Sequence, residues 1–245
     1  MIDRATRAAA LFGLPMHHQH DPVRWSALRM ACAAARALHA DAAPGRILML
    51  AGPSGGGKST ALALLGRRLA RQRRAVVRPP AHLPRRRPAI DAVGDSFERA
   101  LGVLAAAGLA EAALLARPAG ALSDGQRARL RIAAGMDRCT PGAALLIDEF
   151  AAELDRATAC SLACALARWA RREVITLVVA TTRDDLLESL GPDVLAILPL
   201  PGETSEPPAI LRRARLRPRG APPWHATRCN DDSPPSTTTD HAITR

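Results

Sequence analysis

Tyrosine is absent from this chain, and lysine occurs once. Aromatic residues make up 2% of it, three Phe and three Trp. A core must therefore be built from Ala, Leu, Val and Ile. A stacking platform for single-stranded nucleic acid, which needs successive aromatic rings, is disfavoured. No stretch approaches the roughly 20 apolar residues of a membrane span. The opening MIDRATRAAALFGLP carries acidic and basic residues early and has no long apolar run, so it reads poorly as a secretory signal and the cytoplasm is expected. The cysteines, Cys32, Cys139, Cys160, Cys164 and Cys229, are odd in number and form no C-x-x-C pair, so they read as small buried residues.

With 245 residues and 48% apolar content, the chain can bury one substantial core in one main domain. The formal charge is +11, and all but one of the 34 Lys and Arg residues are Arg. That bias runs through the whole chain, beside high Ala and Pro. It reads as a solvated basic surface, with nucleic acid as the less favoured partner.

Along the chain, apolar runs alternate with amphipathic ones. Strands are expected at 46–52, 75–78, 143–149, 174–182 and 194–198. Helices are expected at 24–40, 60–74, 96–109, 122–136, 156–172 and 183–190. In the first helix Trp25, Leu28 and Cys32 share a stripe; in the third, Phe97, Leu101 and Leu104 do. The alternation predicts an α/β fold with a largely parallel sheet covered on both faces. Residues 1–44 read as a leader containing a helix, 45–200 as the main domain with a short helical subdomain at 81–136, and 201–245 as a basic, Pro-rich disordered tail.

The single lysine falls within GPSGGGKST, residues 52–60. Gly52-x-x-x-x-Gly57-Lys58-Ser59 fits a phosphate-binding loop, placed as that motif requires between a strand and a helix. Gly52, Pro53, Ser54, Gly55, Gly56 and Gly57 let backbone N–H groups converge on phosphate oxygens. The helix opening at Lys58, Ser59 and Thr60 adds positive potential. Ser59 can offer its hydroxyl to Mg²⁺. Lys58 has a compact ammonium on a thin stem that can slide along the loop, and the broad fork of Arg would not fit the same slot.

Three further stretches narrow the reading: LSDGQ at 122–126, ALLIDEF at 144–150 and ELD at 153–155. With the loop, and in this order, they resemble the ABC-type ATPase family over about residues 45–200. IDAVG, AAGLAEAALLARP and ATTRDDLLESLGPD are similar to one soluble branch, often joined to a predicted acetyltransferase domain. No such region is seen here, so that partner would be absent or separately encoded. The resemblance implies a P-loop NTPase fold, ATP and Mg²⁺ as cofactors, and a head-to-tail homodimer clamped by ATP. Each ATP would lie between Lys58 of one copy and Ser123, Gly125 and Gln126 of the other, with Asp155 near the interface. Asp148, at a strand end, would join Ser59 at the metal, and Glu149 would orient or deprotonate the attacking water.

The sequence departs from the family at several points. Asp124 replaces a glycine of the signature. Arg183 stands where the family has His, and could grip the γ-phosphate as an arginine finger, with altered turnover. No convincing glutamine follows the second strand: Gln72, His82 and Asp91 are the residues on offer. The interval from Lys58 to Ser123 is short for a transporter-type subdomain, which argues against a membrane subunit as partner. Trp25 and Phe12 are candidates for stacking on adenine, with Trp25 read first as a core anchor. His17, His18, His20 and Asp21 match no zinc spacing and read as an exposed turn.

Overall fold

The computed structural model describes residues 22–200 and 207–213, with backbone alone for 22–24 and 224–228. Phe12, His17, His18, His20 and Cys229 lie outside the described residues. Strands β1 (Ile47–Ala51), β2 (Val76–Val77), β3 (Ala144–Ile147), β4 (Thr176–Ala180), β5 (Val194–Ile197), β6 (Ala209–Arg213) and β7 (Trp224–Arg228) form one sheet in the order β2-β3-β4-β1-β5-β6-β7. The first five are parallel. β1 lies at the centre, with Ile47 opposite Leu177 of β4 and Leu48 opposite Val194 of β5.

The runs ILMLA, ALLI and TLVVA are buried almost throughout, as strands covered on both faces must be. Their side chains alternate between two cores. Ile47, Met49, Leu145, Ile147, Leu177 and Val179 face one; Leu48, Leu50, Leu146, Val178 and Ala196 face the other. The second core is closed by helices α1 (Pro22–Asp41) and α2 (Lys58–Arg71). The first is closed by α3 (Phe97–Ala106), α4 (Ala112–Leu115), α5 (Asp124–Asp137) and α6 (Arg156–Arg172). A one-turn helix α7 (Leu187–Leu190) precedes β5. This is the expected mostly parallel sheet flanked by helices. Among the described residues no helix is long and apolar enough to cross a membrane.

The leader helix is part of this body, and it uses a different face from the expected one. Ala31, Ala34, Ala35 and Leu38, spaced i, i+3, i+4 and i+7, are fully buried, while Trp25 is 54% exposed and Leu28 is also exposed. Alanines let α1 and α2 approach closely, so the small stripe was chosen over the bulky one. In α3 the expected stripe is kept in part: Leu104 is buried, with Ala100 beside it, while Phe97 is exposed. Cys32, Cys139, Cys160 and Cys164 are half-buried, and burial pushes the Cys139 thiol up to about 12.

At the edge opposite the strands' carboxyl ends, Arg74 acts as a staple. It donates to the carbonyls of Ala42 and Gly142 and to Thr176 Oγ1 (2.6 Å), which in turn donates to Ala43 O (2.7 Å).

Two segments of the expected tail are strands. β6 pairs antiparallel with β5, and β7 with β6. Ile210 is fully buried in the α1 and α2 core, and Arg212 Nε reaches Asp41 Oδ2 at the end of α1 (2.7 Å). The sheet thus extends past residue 200 because β5 would otherwise present an unpaired edge. Ile210→Ala is expected to cost about 2–5 kcal/mol in chemical denaturation; a change within about 0.5 kcal/mol would mean that this strand adds nothing to the core.

Candidate functional site

The site forms where the carboxyl ends of β1, β3 and β4 lie side by side, the edge at which parallel sheets bind ligands. The loop leaving β1 is possible only with glycine at key points. Gly52 has φ 138°, and a Cβ there would collide with the Leu198 carbonyl. Gly57 caps α2 in the left-handed region, with φ 89° and no side-chain capping bond. The first N–H groups of α2 therefore have no side-chain acceptor over them, which suits an anion. A Cβ on Gly57 would lie 3.0 Å from Ala27 O, so α1 presses directly against this loop.

Lys58 folds back over the loop. Its Nζ donates to Gly52 O (2.8 Å) and Pro53 O (2.6 Å). Burial lowers its pKa, against the raising influence of Asp148 and then Glu149. Ser54, Gly55, Gly57, Lys58, Ser59 and Thr60 line a cavity of about 520 Å³ together with Asp148, Glu149, Thr181 and Thr182. The loop residues and the two carboxylates read from the sequence are thus brought together, while Gly52, Pro53 and Gly56 form the loop's backbone outside that lining. A hydroxyl and a carboxylate, Ser59 and Asp148, on one cavity wall are an oxygen donor set of the kind Mg²⁺ takes.

Glu149 follows Asp148 with φ 49°, and Ala151 has φ 62°. Both are uncommon for residues with side chains. The Glu149 N–H donates to Asp148 Oδ1 (3.0 Å). The turn leads to Asp155, which caps α6 by accepting from Thr158 N (2.9 Å). Bonds from Thr158 hold the Asp155 carboxyl below its usual range.

The signature residues lie apart from this cavity. Ser123 and Gln126 form a capping box at the start of α5: Ser123 Oγ accepts from Gln126 N (3.2 Å) and Gln126 Oε1 from Ser123 N (2.9 Å). Asp124 pairs with Arg127, which also donates to Leu122 O. Gly125 packs on the turn, since a Cβ there would lie 2.9 Å from Leu154 Cδ2. Asp124 and Arg127 line a second cavity of about 510 Å³ with His82 and Glu153.

Arg183 is placed differently from the expected arginine finger. It is not among the residues lining the phosphate-loop cavity. Its guanidinium makes a fork with Asp185 (3.0 and 2.7 Å) and donates to Ala151 O (3.2 Å) and Leu154 O (2.8 Å). The signal overlooked in the sequence is the carboxylate two residues on. Thr181 was overlooked as well. It directly follows β4, lines the cavity, and donates through Oγ1 to Phe150 O (3.1 Å). Gln72, His82 and Asp91 all fall outside that cavity, Gln72 at the far end of α2.

The Asp155 cap gives a pH signature. Its folded pKa is depressed, so its contribution is complete above the unfolded carboxyl's pKa of about 4 and is lost as pH falls through the folded value. Asn caps comparably and carries no charge. The difference in melting temperature between the parent and Asp155→Asn is expected to hold steady above about pH 5 and to shrink below about pH 4. A difference that stays flat into acid would contradict the ionised cap.

No family model matches the chain, and no curated protein matches it. Solved structures do. The dimeric structure of MJ0796, a bacterial ABC transporter cassette, superposes with a TM-score of 0.53 at 22% identity, over 64% of this chain and 82% of that one. The same cassette in a dimeric post-hydrolysis state bound to ADP and Pi gives 0.52 at 22% identity, over 63% and 82%. The chain therefore has the fold of the ATP-binding cassettes.

Proposed function

We propose that this chain is a Mg²⁺-dependent ATPase that works as an ATP-clamped head-to-tail homodimer. The observation that carries the reading is the position of Lys58. Its ammonium rests on two carbonyl oxygens, in a cavity it shares with Ser59, Asp148 and Glu149. Carbonyl oxygens are weaker partners than phosphate oxygens, so an arriving triphosphate draws the ammonium off the loop at little cost. The N–H groups at the start of α2 take the phosphates, and Ser59 and Asp148 would hold the metal. Mg²⁺, when bound, neutralises charge on the phosphoryl oxygens. Glu149, an exposed carboxylate on the cavity wall, orients a water and accepts its proton.

Ser123 supplies the second half. Its oxygen already accepts from Gln126 N, which leaves the hydroxyl proton for an outside acceptor. That acceptor is the γ-phosphate held by a second copy. Pairing with Arg127 offsets the Asp124 carboxylate beside this position. The exposure of Trp25 on α1, the helix packed against Gly57, favours adenine stacking over the core role first expected of it. Turnover is slow in this reading, since the guanidinium of Arg183 is engaged away from the cavity. A membrane subunit, or a separate acetyltransferase-like chain, would be a partner of this engine and not part of its chemistry.

Phosphate release by the purified protein tests the reading. Glu149→Gln is expected to lower turnover about 10²–10⁴-fold while nucleotide still binds. Lys58→Arg is expected to lose binding of a fluorescent ATP analogue. Equal binding by Lys58→Arg would contradict the role given to the ammonium. Trp25→Ala is expected to weaken ATP binding by about 1–3 kcal/mol. An unchanged affinity would remove Trp25 from the site.

A further inference from the structure

The turn that carries Glu149 is strained and tightly held. Glu149 and Ala151, at φ 49° and 62°, both occupy a region that side chains rarely adopt. Such conformations persist where their surroundings over-determine them. Much of that surrounding is one segment, residues 180–185, while from α5 Arg131 Nη2 donates to Glu153 Oε1 (3.1 Å). The Phe150 N–H donates to Ala180 O (2.9 Å), and Thr181 Oγ1 donates to Phe150 O (3.1 Å). Arg183 Nη1 donates to Ala151 O (3.2 Å) and Leu154 O (2.8 Å), which spans the turn beyond Phe150.

Arg183 is itself fixed. Asp185 receives its Nε (3.0 Å) and Nη2 (2.7 Å), and its backbone N–H donates to Thr181 Oγ1 (3.1 Å). Asp185 also lies 3.7 Å from Arg156 in the first turn of α6, the helix capped by Asp155. Of the five N–H donors of a guanidinium, one remains uncommitted. A two-pronged grip on phosphate would require these bonds to break.

We infer that Arg183 is a positioning residue. Held by Asp185, it latches the 149–155 turn so that Glu149 and Asp155 keep their places. It does not touch the triphosphate. The effect on turnover rests on the ATPase reading; the effect on the turn rests on geometry alone.

The two are separated by comparing Arg183→Gln, Arg183→Lys, Asp185→Asn and the Gln/Asn double variant in the full chain. Hydrogen exchange is measured without nucleotide at the Ala152 and Leu154 amides, which donate to Glu149 O and Ala151 O. The latch requires exchange there to quicken by about tenfold or more in both Arg183→Gln and Asp185→Asn, with the global melting temperature little changed. Arg183→Lys, with a point charge in place of a fork, is not expected to restore it. In turnover, both single changes should lower kcat by about tenfold and leave the Kd for ATP within about twofold. The double variant should be no worse than the worse single, since Asp185 acts through Arg183.

The inference is overturned if Asp185→Asn keeps parental kcat and parental exchange while Arg183→Gln loses turnover, because the guanidinium then acts on phosphate directly. If the parent hydrolyses no ATP, the ATPase reading fails. The exchange rates then decide the latch alone: quickened exchange in both single variants supports it, and parental exchange overturns it.

Discussion

Lys58 Nζ, held by the carbonyls of Gly52 and Pro53, can lie where it does only because the loop beneath it turns through conformations open to glycine. That loop in turn needs β1 at the centre of a parallel sheet, so that its carboxyl end opens beside those of β3 and β4. The apolar runs of the three strands, buried on both faces, fix this register. The ammonium is thus the visible end of a chain of constraints that begins with Ile, Leu and Val packing. A chain otherwise furnished with arginine places its one lysine at this point, with the ammonium beside two carbonyl oxygens of the loop.

Much of this was legible in the sequence. Long apolar runs bounded by Gly, Pro or acidic residues marked the parallel strands, and a motif fixed by backbone geometry marked the loop. What escaped was set by partners distant in sequence. In α1 the larger stripe of Trp25 and Leu28 suggested the core face, yet close helix packing selected Ala31, Ala34, Ala35 and Leu38. An alanine-rich helix offers more than one apolar face, and periodicity alone does not choose between them. The short run AILRR, set among prolines, carries little strand signal of its own. It becomes a strand because β5 offers an edge and Asp41 offers Arg212 an anchor.

Arg183 shows the limit of reading a role from a motif position. Placed after the strand ending ATT, it invited comparison with a residue that meets phosphate. Its side chain turns instead to the carboxylate two residues on and to two carbonyls of the acidic turn. In the proposed latch, that arrangement holds a turn whose backbone is left-handed at Glu149 and Ala151. A carboxylate can act on water only if its direction is held, and a left-handed turn stays in place only while neighbouring groups hold it.

The proposed engine closes only when a second copy brings Ser123 to the triphosphate. The most direct measurement is the molar mass of Glu149→Gln in solution by light scattering, with and without Mg²⁺ and ATP. The account requires a monomer alone and a dimer with both ligands, reverting to monomer when Ser123 is also replaced by a bulky residue. A mass that stays monomeric while ATP is bound would contradict it.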